Sequence, residues 1–328
     1  MRVFLTGGTG FVGSHVAEVL KKGGHEVVAL VRGSSDVAFL EKLGVKRVEG
    51  ALGDLKALGE EIGVCDAVVH VVGLLSAHQQ EKMFEVNVEG TRELAEVAAR
   101  VCGKGTPFVY ISSVAAQGPS EGARPREPGQ EEAPVSLYGK SKLGGEAAAL
   151  TAKEDLKVVI LRPPPVYGPR DRDMYQVFQL ANLGLAPVLG KGERHLSVIH
   201  AEDVAGAVLC CLEGGEKLRS GAIYPIDDGE VYTWRELGAE IAAGMGKKAL
   251  TVPVPAFLFS AAARLSEAGG KIRGKAPTFD RDKYREMIQP SWVCGNEAIC
   301  RELGFEPKWK LREGSAATAR WYRAEGWL

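Results

Sequence analysis

Tyr138-Gly139-Lys140-Ser141-Lys142 places a phenol and an ammonium four residues apart, so on a helix both project from one face. A positive charge beside a phenol favours the phenolate, and this predicts a tyrosine that trades a proton near neutral pH. Because Tyr-x-x-x-Lys is a frequent accident, its context decides. Ser112-Ser113 closes a β-branched run, and the carboxyl ends of parallel strands are where ligands bind in open α/β sheets. Ser113 can there hydrogen-bond a substrate oxygen. Ser113, Tyr138 and Lys142 are therefore the candidate catalytic residues, a set able to carry a proton to or from oxygen.

The second constellation lies at the start of the chain. In Thr6-Gly7-Gly8-Thr9-Gly10-Phe11-Val12-Gly13, residues Gly7, Gly10 and Gly13 follow a strand and open a helix whose first residues are Phe11 and Val12. Such glycines let the backbone approach a pyrophosphate, whose charge then faces the amides and dipole of the helix N-terminus. This context identifies a dinucleotide-binding turn. The second strand ends Leu30-Val31-Arg32-Gly33-Ser34-Ser35, without the carboxylate that binds a ribose 2′-hydroxyl. Arg32 with two hydroxyls suits a 2′-phosphate, which favours NADP over NAD, although the same arginine can simply be solvated. Asp54 in Gly53-Asp54-Leu55 can accept from the adenine amine, cap the next helix, or do both. Leu55 and Val72 stand at the sheet edge beside them.

These residues need elements to hold them. The first 165 residues alternate β-branched runs with amphipathic stretches, the pattern of β-α-β units building a doubly wound parallel α/β sheet. Expected strands are Arg2 to Thr6, Glu26 to Val31, Lys46 to Glu49, Ala67 to Val71, Phe108 to Ser112 and Lys157 to Leu161. Helices are expected over Phe11 to Lys22, Gln80 to Val101 and Leu137 to Ala152, with Phe84, Val88, Leu94, Val97 and Val101 near one face. The proline-rich stretch from Gly118 to Ser136 reads as a loop or lid, and Arg170 to Gly192 borders the same cleft. Past Pro163-Pro164-Pro165 the pattern loosens into short helices and isolated strands. The expected organisation is a nucleotide-binding domain over 1–165, with 198–228 returning to it, and a smaller C-terminal α/β substrate domain from 166–197 and 229–328. The apolar run from Pro255 to Leu265 reads as a helix packed on that second domain in preference to a membrane contact.

Composition narrows the function. With 41 basic and 42 acidic residues the formal charge is −1, so no global field would gather nucleic acid. The N-terminus runs straight into the glycine turn, and no run approaches the length of a membrane span, which together read as cytoplasmic. The six cysteines show no Cys-x-x-Cys pair and read as free buried thiols, and no metal site is expected.

Seven segments together resemble the extended short-chain dehydrogenase/reductases, grouped as NAD(P)-dependent epimerases and dehydratases. They are the Thr6 to Gly13 turn, Gly53 to Leu55, Asn87 to Thr91, Ser112-Ser113, Tyr138 to Lys142, Arg162-Pro163 with Val166-Tyr167-Gly168, and Ile199 to Val204. The resemblance implies a Rossmann fold with Tyr138 as acid/base, Lys142 on the nicotinamide ribose and Ser113 orienting the substrate. Asn87 would tie a helix into the sheet, and Pro163 to Val166 would line the nicotinamide. A homodimer through the helices bearing Asn87 and Tyr138 is the implied assembly. In the nucleotide-sugar branch an arginine grips the diphosphate four residues before the position of His200. Here that position is Leu196, with Arg194 two residues away, and this favours a reductase of the dihydroflavonol reductase and 3β-hydroxysteroid dehydrogenase kind. The alternatives are a nucleotide-sugar epimerase or dehydratase that recycles NAD, and a non-catalytic subunit that holds NADPH.

Overall fold

Strands rich in valine and isoleucine, buried on both faces, build the centre of the molecule. The computed structural model describes residues 1–75, 80–127, 129–190, 192–273 and 279–328, so Pro128 and Lys191 of the two cleft segments lie outside the described residues. Seven strands form one sheet: β1 (Arg2–Thr6), β2 (Glu26–Val31), β3 (Lys46–Glu49), β4 (Ala67–His70), β5 (Pro107–Ile111), β6 (Lys157–Arg162) and β7 (Ala222–Pro225). Their order is β7-β6-β5-β4-β1-β2-β3 and every pairing is parallel. The order reverses between β1 and β4, which opens a crevice at their carboxyl ends.

The period of two decides which side chain faces which layer. Val3 and Leu5 join Val27, Val69 and Val109 on one face, under helices α1 (Phe11–Lys22) and α4 (Ala201–Glu213). Phe4 joins Val28, Val68, Phe108 and Ile160 on the other, under α2 (Gly90–Val101) and α3 (Leu137–Leu150). Each fully buried side chain of this size contributes about 1.5–3 kcal/mol of transfer free energy, so the two layers hold the sheet from both sides. A third apolar cluster gathers Tyr167, Phe178, Leu196, Leu237, Ile241 and Tyr322 beyond the sheet.

Three expectations are corrected. The helix expected over Gln80 to Val101 is interrupted by a π-helical turn at Glu85–Glu89. Phe84 precedes this wider turn and Val88 lies within it, and neither joins the cluster of Leu94 and Val97; Val101, the last residue of α2, is 38% exposed. Of the cysteines only Cys65, Cys211 and Cys294 are buried, while Cys102, Cys210 and Cys300 reach partway to solvent. The apolar run forms a helix, α5 (Ala256–Arg273), which packs on α6 (Arg281–Met287). It buries Ala263 and turns Phe259 to Phe279, but it leaves three large apolar side chains in water: Phe257 is 69% exposed, Leu258 47% and Leu265 74%. None of them belongs to the third cluster.

Candidate active site

The glycine turn is built by close approach. Gly7 has φ +76°, and a Cβ there would stand 2.9 Å from the Val72 amide nitrogen. A Cβ on Gly13 would fall 2.0 Å from the Gly7 carbonyl oxygen, closer than any real contact. The turn closes through Gly10 N–H donating to the Gly7 carbonyl at 2.9 Å. Gly10 caps α1 without any side-chain acceptor, so no side chain competes for the first amides of the helix. Half-buried Phe11 and Val12 follow. Turn and helix end thus fit a pyrophosphate, as the chemistry of such a cradle requires.

Ser113, Tyr138 and Lys142 converge at the carboxyl ends of β5 and β6. Ser113 caps the short helix Val114–Gln117, accepting from Ala115 N–H at 3.1 Å, and it hydrogen-bonds the Tyr138 phenol. Lys142 is buried, and its Nζ donates to the Ile111 carbonyl at 2.6 Å and lies 4.4 Å from the centre of the Tyr110 ring. Burial lowers this ammonium to about 7, against the pull of Glu146. The expectation for Tyr138 is reversed. Burial and the Glu286 carboxylate push the phenol above its ordinary range, and the Ser113 hydrogen bond only partly offsets them. Lys142 does not counter this, because its ammonium is directed at a backbone carbonyl and is itself easily discharged.

Supporting residues lie behind this set, among them Glu146 and Glu132, which the sequence reading missed, and Arg162 and Asn87, which it named. Glu146 accepts from Ser112 Oγ at 2.5 Å and forms a two-pronged pair with Arg162, at 2.8 and 2.6 Å. Arg162 also reaches Glu132 at 2.8 Å. One buried guanidinium therefore ties α3, the end of β6 and the loop before α3. Glu146 follows Lys142 by four residues on the same helix face, a spacing visible in the sequence. Asn87, fully buried on the π turn, bonds both backbone groups of Leu74 at 2.7 and 3.0 Å and Ser141 Oγ at 2.9 Å.

The N-terminus of α3 is capped from far along the chain. Asp282 on α6 accepts from Leu137 N–H at 2.9 Å and Tyr138 N–H at 3.1 Å. Ser136 Oγ accepts from Gly139 N–H at 2.8 Å and donates to Glu286 at 2.6 Å. Together these bonds satisfy the free amides of the helix that carries Tyr138 and Lys142. No local spacing announces Asp282 or Glu286.

The remaining candidates are placed as follows. Arg32 is exposed at the end of β2, where the Ser35 hydroxyl accepts from its backbone N–H at 3.3 Å. Glu49 at the end of β3 stands beside the same turn, its Oε1 2.6 Å from where a Gly33 Cβ would lie. Asp54 accepts from Ala51 N–H at 2.9 Å, so its capping role is realised. Leu55 is fully buried and offers the edge only its backbone. Val72 adjoins Gly7, and the Pro163 carbonyl accepts from Val114 N–H at 3.0 Å. Val166 is half-buried in a two-residue strand paired with Ile199. Leu196 is 1% exposed in the third apolar cluster, and Arg194 donates to the Leu189 carbonyl at 2.6 Å.

A glycine turn fit for a pyrophosphate at the β1–β4 switch point, with a serine, a tyrosine and a lysine gathered at the neighbouring strand ends, is the arrangement of the NAD(P)-dependent enzymes. The model of the NAD dependent epimerase/dehydratase family matches residues 3–227, and the chain belongs to that family, as an extended short-chain dehydrogenase/reductase. It is 33% identical to a ceramide reductase of Caulobacter vibrioides, over 99% of this chain and 96% of that protein. A putative dihydroflavonol 4-reductase of Synechocystis sp. is 29% identical over 99% and 95%. The crystal structure of the UDP-glucose 4-epimerase of Thermotoga maritima with UDP-glucose superposes with a TM-score of 0.76 at 22% identity over 99% of both chains, a likeness of fold.

Proposed function

We propose that the protein is an NADP-dependent oxidoreductase interconverting a ketone and a secondary alcohol on a lipophilic substrate. The carrying observation is Leu196: an apolar side chain in the core occupies the position that would supply a diphosphate-gripping cation, while Arg194 is engaged by a backbone carbonyl. Without that cation a nucleotide diphosphate has no counter-charge there. Similarity to a ceramide reductase supports a lipophilic substrate.

The backbone of Gly7, Gly10, Phe11, Val12 and Gly13 would hold the pyrophosphate, Arg32 the 2′-phosphate, and Asp54, Leu55 and Val72 the adenine edge. Lys142 would hold the nicotinamide ribose, with Pro163 and Val166 lining the ring. The bound cofactor supplies or accepts the hydride. Ser113 orients the substrate oxygen. Tyr138, kept protonated by burial and by Glu286, donates its proton to the oxygen of a ketone as charge develops there. A protonated phenol suits reduction, and residues 166–197 and 229–328 would shape the substrate pocket.

A second reading, an epimerase or dehydratase that recycles NAD, is favoured by one observation: the Glu49 carboxylate beside Gly33 suits ribose hydroxyls better than a phosphate. Titrating the emptied protein with NADPH and NADH separates the two. The proposal expects NADPH to bind more tightly, and Arg32→Asp to swing the preference toward NADH. Tighter NADH binding by the unaltered protein, or an NADPH affinity indifferent to Arg32→Asp, would overturn the NADP assignment.

A further inference from the structure

We infer that the paired helices α5 and α6 dock the protein on an anionic lipid surface beside the Tyr138 end of α3. The face is apolar and open: Phe257, Leu258 and Leu265 are 69%, 47% and 74% exposed on a helix whose one inward side rests on α6. An open groove of ≈ 690 Å³ runs between the helices, lined by Phe257, Ser260, Ala261, Arg264, Leu265 and Tyr284. Exposed large apolar side chains gathered on one helix mark an interaction surface, because water gains nothing by solvating them.

Charge selects the partner. Residues 256–287 hold seven basic against four acidic side chains, in a chain whose overall formal charge is −1. Three of the four acids turn inward. Asp282 and Glu286 cap α3 and are 17% and 13% exposed, and Glu267 is 21% exposed. Each is ion-paired with a basic neighbour that reaches past it toward water: Arg281 with Glu267, Lys283 with Glu286 and Arg285 with Asp282, the cations 63%, 62% and 61% exposed. Aromatic and leucine side chains beside outward cations fit the interface of an acidic bilayer, where rings and chains enter the headgroup layer and cations meet the phosphates. Because the same acids hold the N-terminus of α3, the docked surface adjoins the helix carrying Tyr138 and Lys142.

The test is flotation of the full chain with phosphatidylcholine vesicles, with and without phosphatidylglycerol. The protein should float with the anionic vesicles, less so as salt rises, and weakly with phosphatidylcholine alone. Phe257→Glu combined with Leu265→Glu should lower vesicle partition by about tenfold or more, the consequence of losing two inserted apolar side chains, with the melting temperature unchanged. Arg264→Glu should weaken the anionic preference alone. Failure to float with anionic vesicles, or flotation indifferent to the double substitution, overturns the inference. So does self-association without lipid that the double substitution abolishes, which would assign the face to a second copy of the chain. These readouts do not depend on cofactor or substrate, so they stand apart from the test of the proposed reaction.

Discussion

The turn before α1 and the helix α5 both contain glycine, and they use it in opposite ways. At the turn an added Cβ on Gly13 would strike the Gly7 carbonyl at 2.0 Å, whereas in α5 a Cβ on Gly269 meets nothing within 4 Å. Around the turn β1 is buried from Val3 to Thr6, whereas α5 keeps Phe257, Leu258 and Leu265 in water. The cofactor edge is held by backbone packed on backbone. The α5 and α6 pair is held to α3 largely by polar bonds from Asp282 and Glu286. Regions with few buried apolar contacts open at lower free energy, so the second should exchange and adapt while the first stays fixed. In the proposed mechanism the proton carrier, Tyr138, stands where the two meet, at the N-terminus of α3.

Tyr138→Phe probes that meeting point with the largest expected effect. Removing the proton carrier should lower turnover by about 10²–10⁴ while cofactor affinity is retained, as read from steady-state rates and a cofactor titration. Undiminished turnover would remove Tyr138 from the mechanism. Next comes Arg162→Met, which leaves Glu146 buried without its partner and should cost about 3–5 kcal/mol in urea unfolding. The matching change on the exposed side, Arg281→Met, should cost less than about 1 kcal/mol, because its pair with Glu267 lies at the surface. Equal costs would erase the distinction between a rigid edge and a loosely held pair of helices.

The rigid edge is also the part legible in the sequence. β1 and β2 are written as runs of apolar residues, and the turn from Thr6 to Gly13 carries its own geometry, so each follows from residues a few positions apart. Tyr138 and Lys142 share a face by spacing alone. What stayed hidden depends on distant partners. Asp282 and Glu286 cap a helix 144 and 150 positions away, and helix-capping rules look only at neighbours. Burial first, and the same long-range carboxylate second, reversed the expected titration of Tyr138, since adjacency to Lys142 was visible and neither of these was. The π turn at Glu85–Glu89 changes register without changing composition, so periodicity ran through it. For α5 the sequence marked an apolar helix, but periodicity cannot say which face will find a neighbour.

Glu286→Gln sharpens the link between the two regions. A carboxylate near the phenol disfavours the phenolate, so its removal should lower the Tyr138 pKa. The rising limb of the pH profile of kcat/KM for alcohol oxidation, which needs the deprotonated form, should move to lower pH by up to about one unit, or about 1.4 kcal/mol. The glutamine can still accept from Ser136 Oγ, so a purely structural role predicts no movement of the limb. A shift to higher pH would show that Glu286 does not act on Tyr138 through its charge.

The smallest effect is expected from Gly269→Ala. Gly269 lies inside α5 and its Cβ would enter open space, so the alanine adds no collision and removes backbone freedom from the unfolded chain. Replacing an interior helical glycine should stabilise α5 by about 0.5–1 kcal/mol. Because this helix opens separately from the sheet, the gain should appear as slower amide hydrogen exchange across α5, with little change in the global unfolding midpoint. A matching rise in the global midpoint would mean that α5 unfolds together with the sheet. The contrast between a fixed edge and an adaptable helix pair would then fail, and the exposed face of α5 would belong to the same cooperative unit as the cofactor turn.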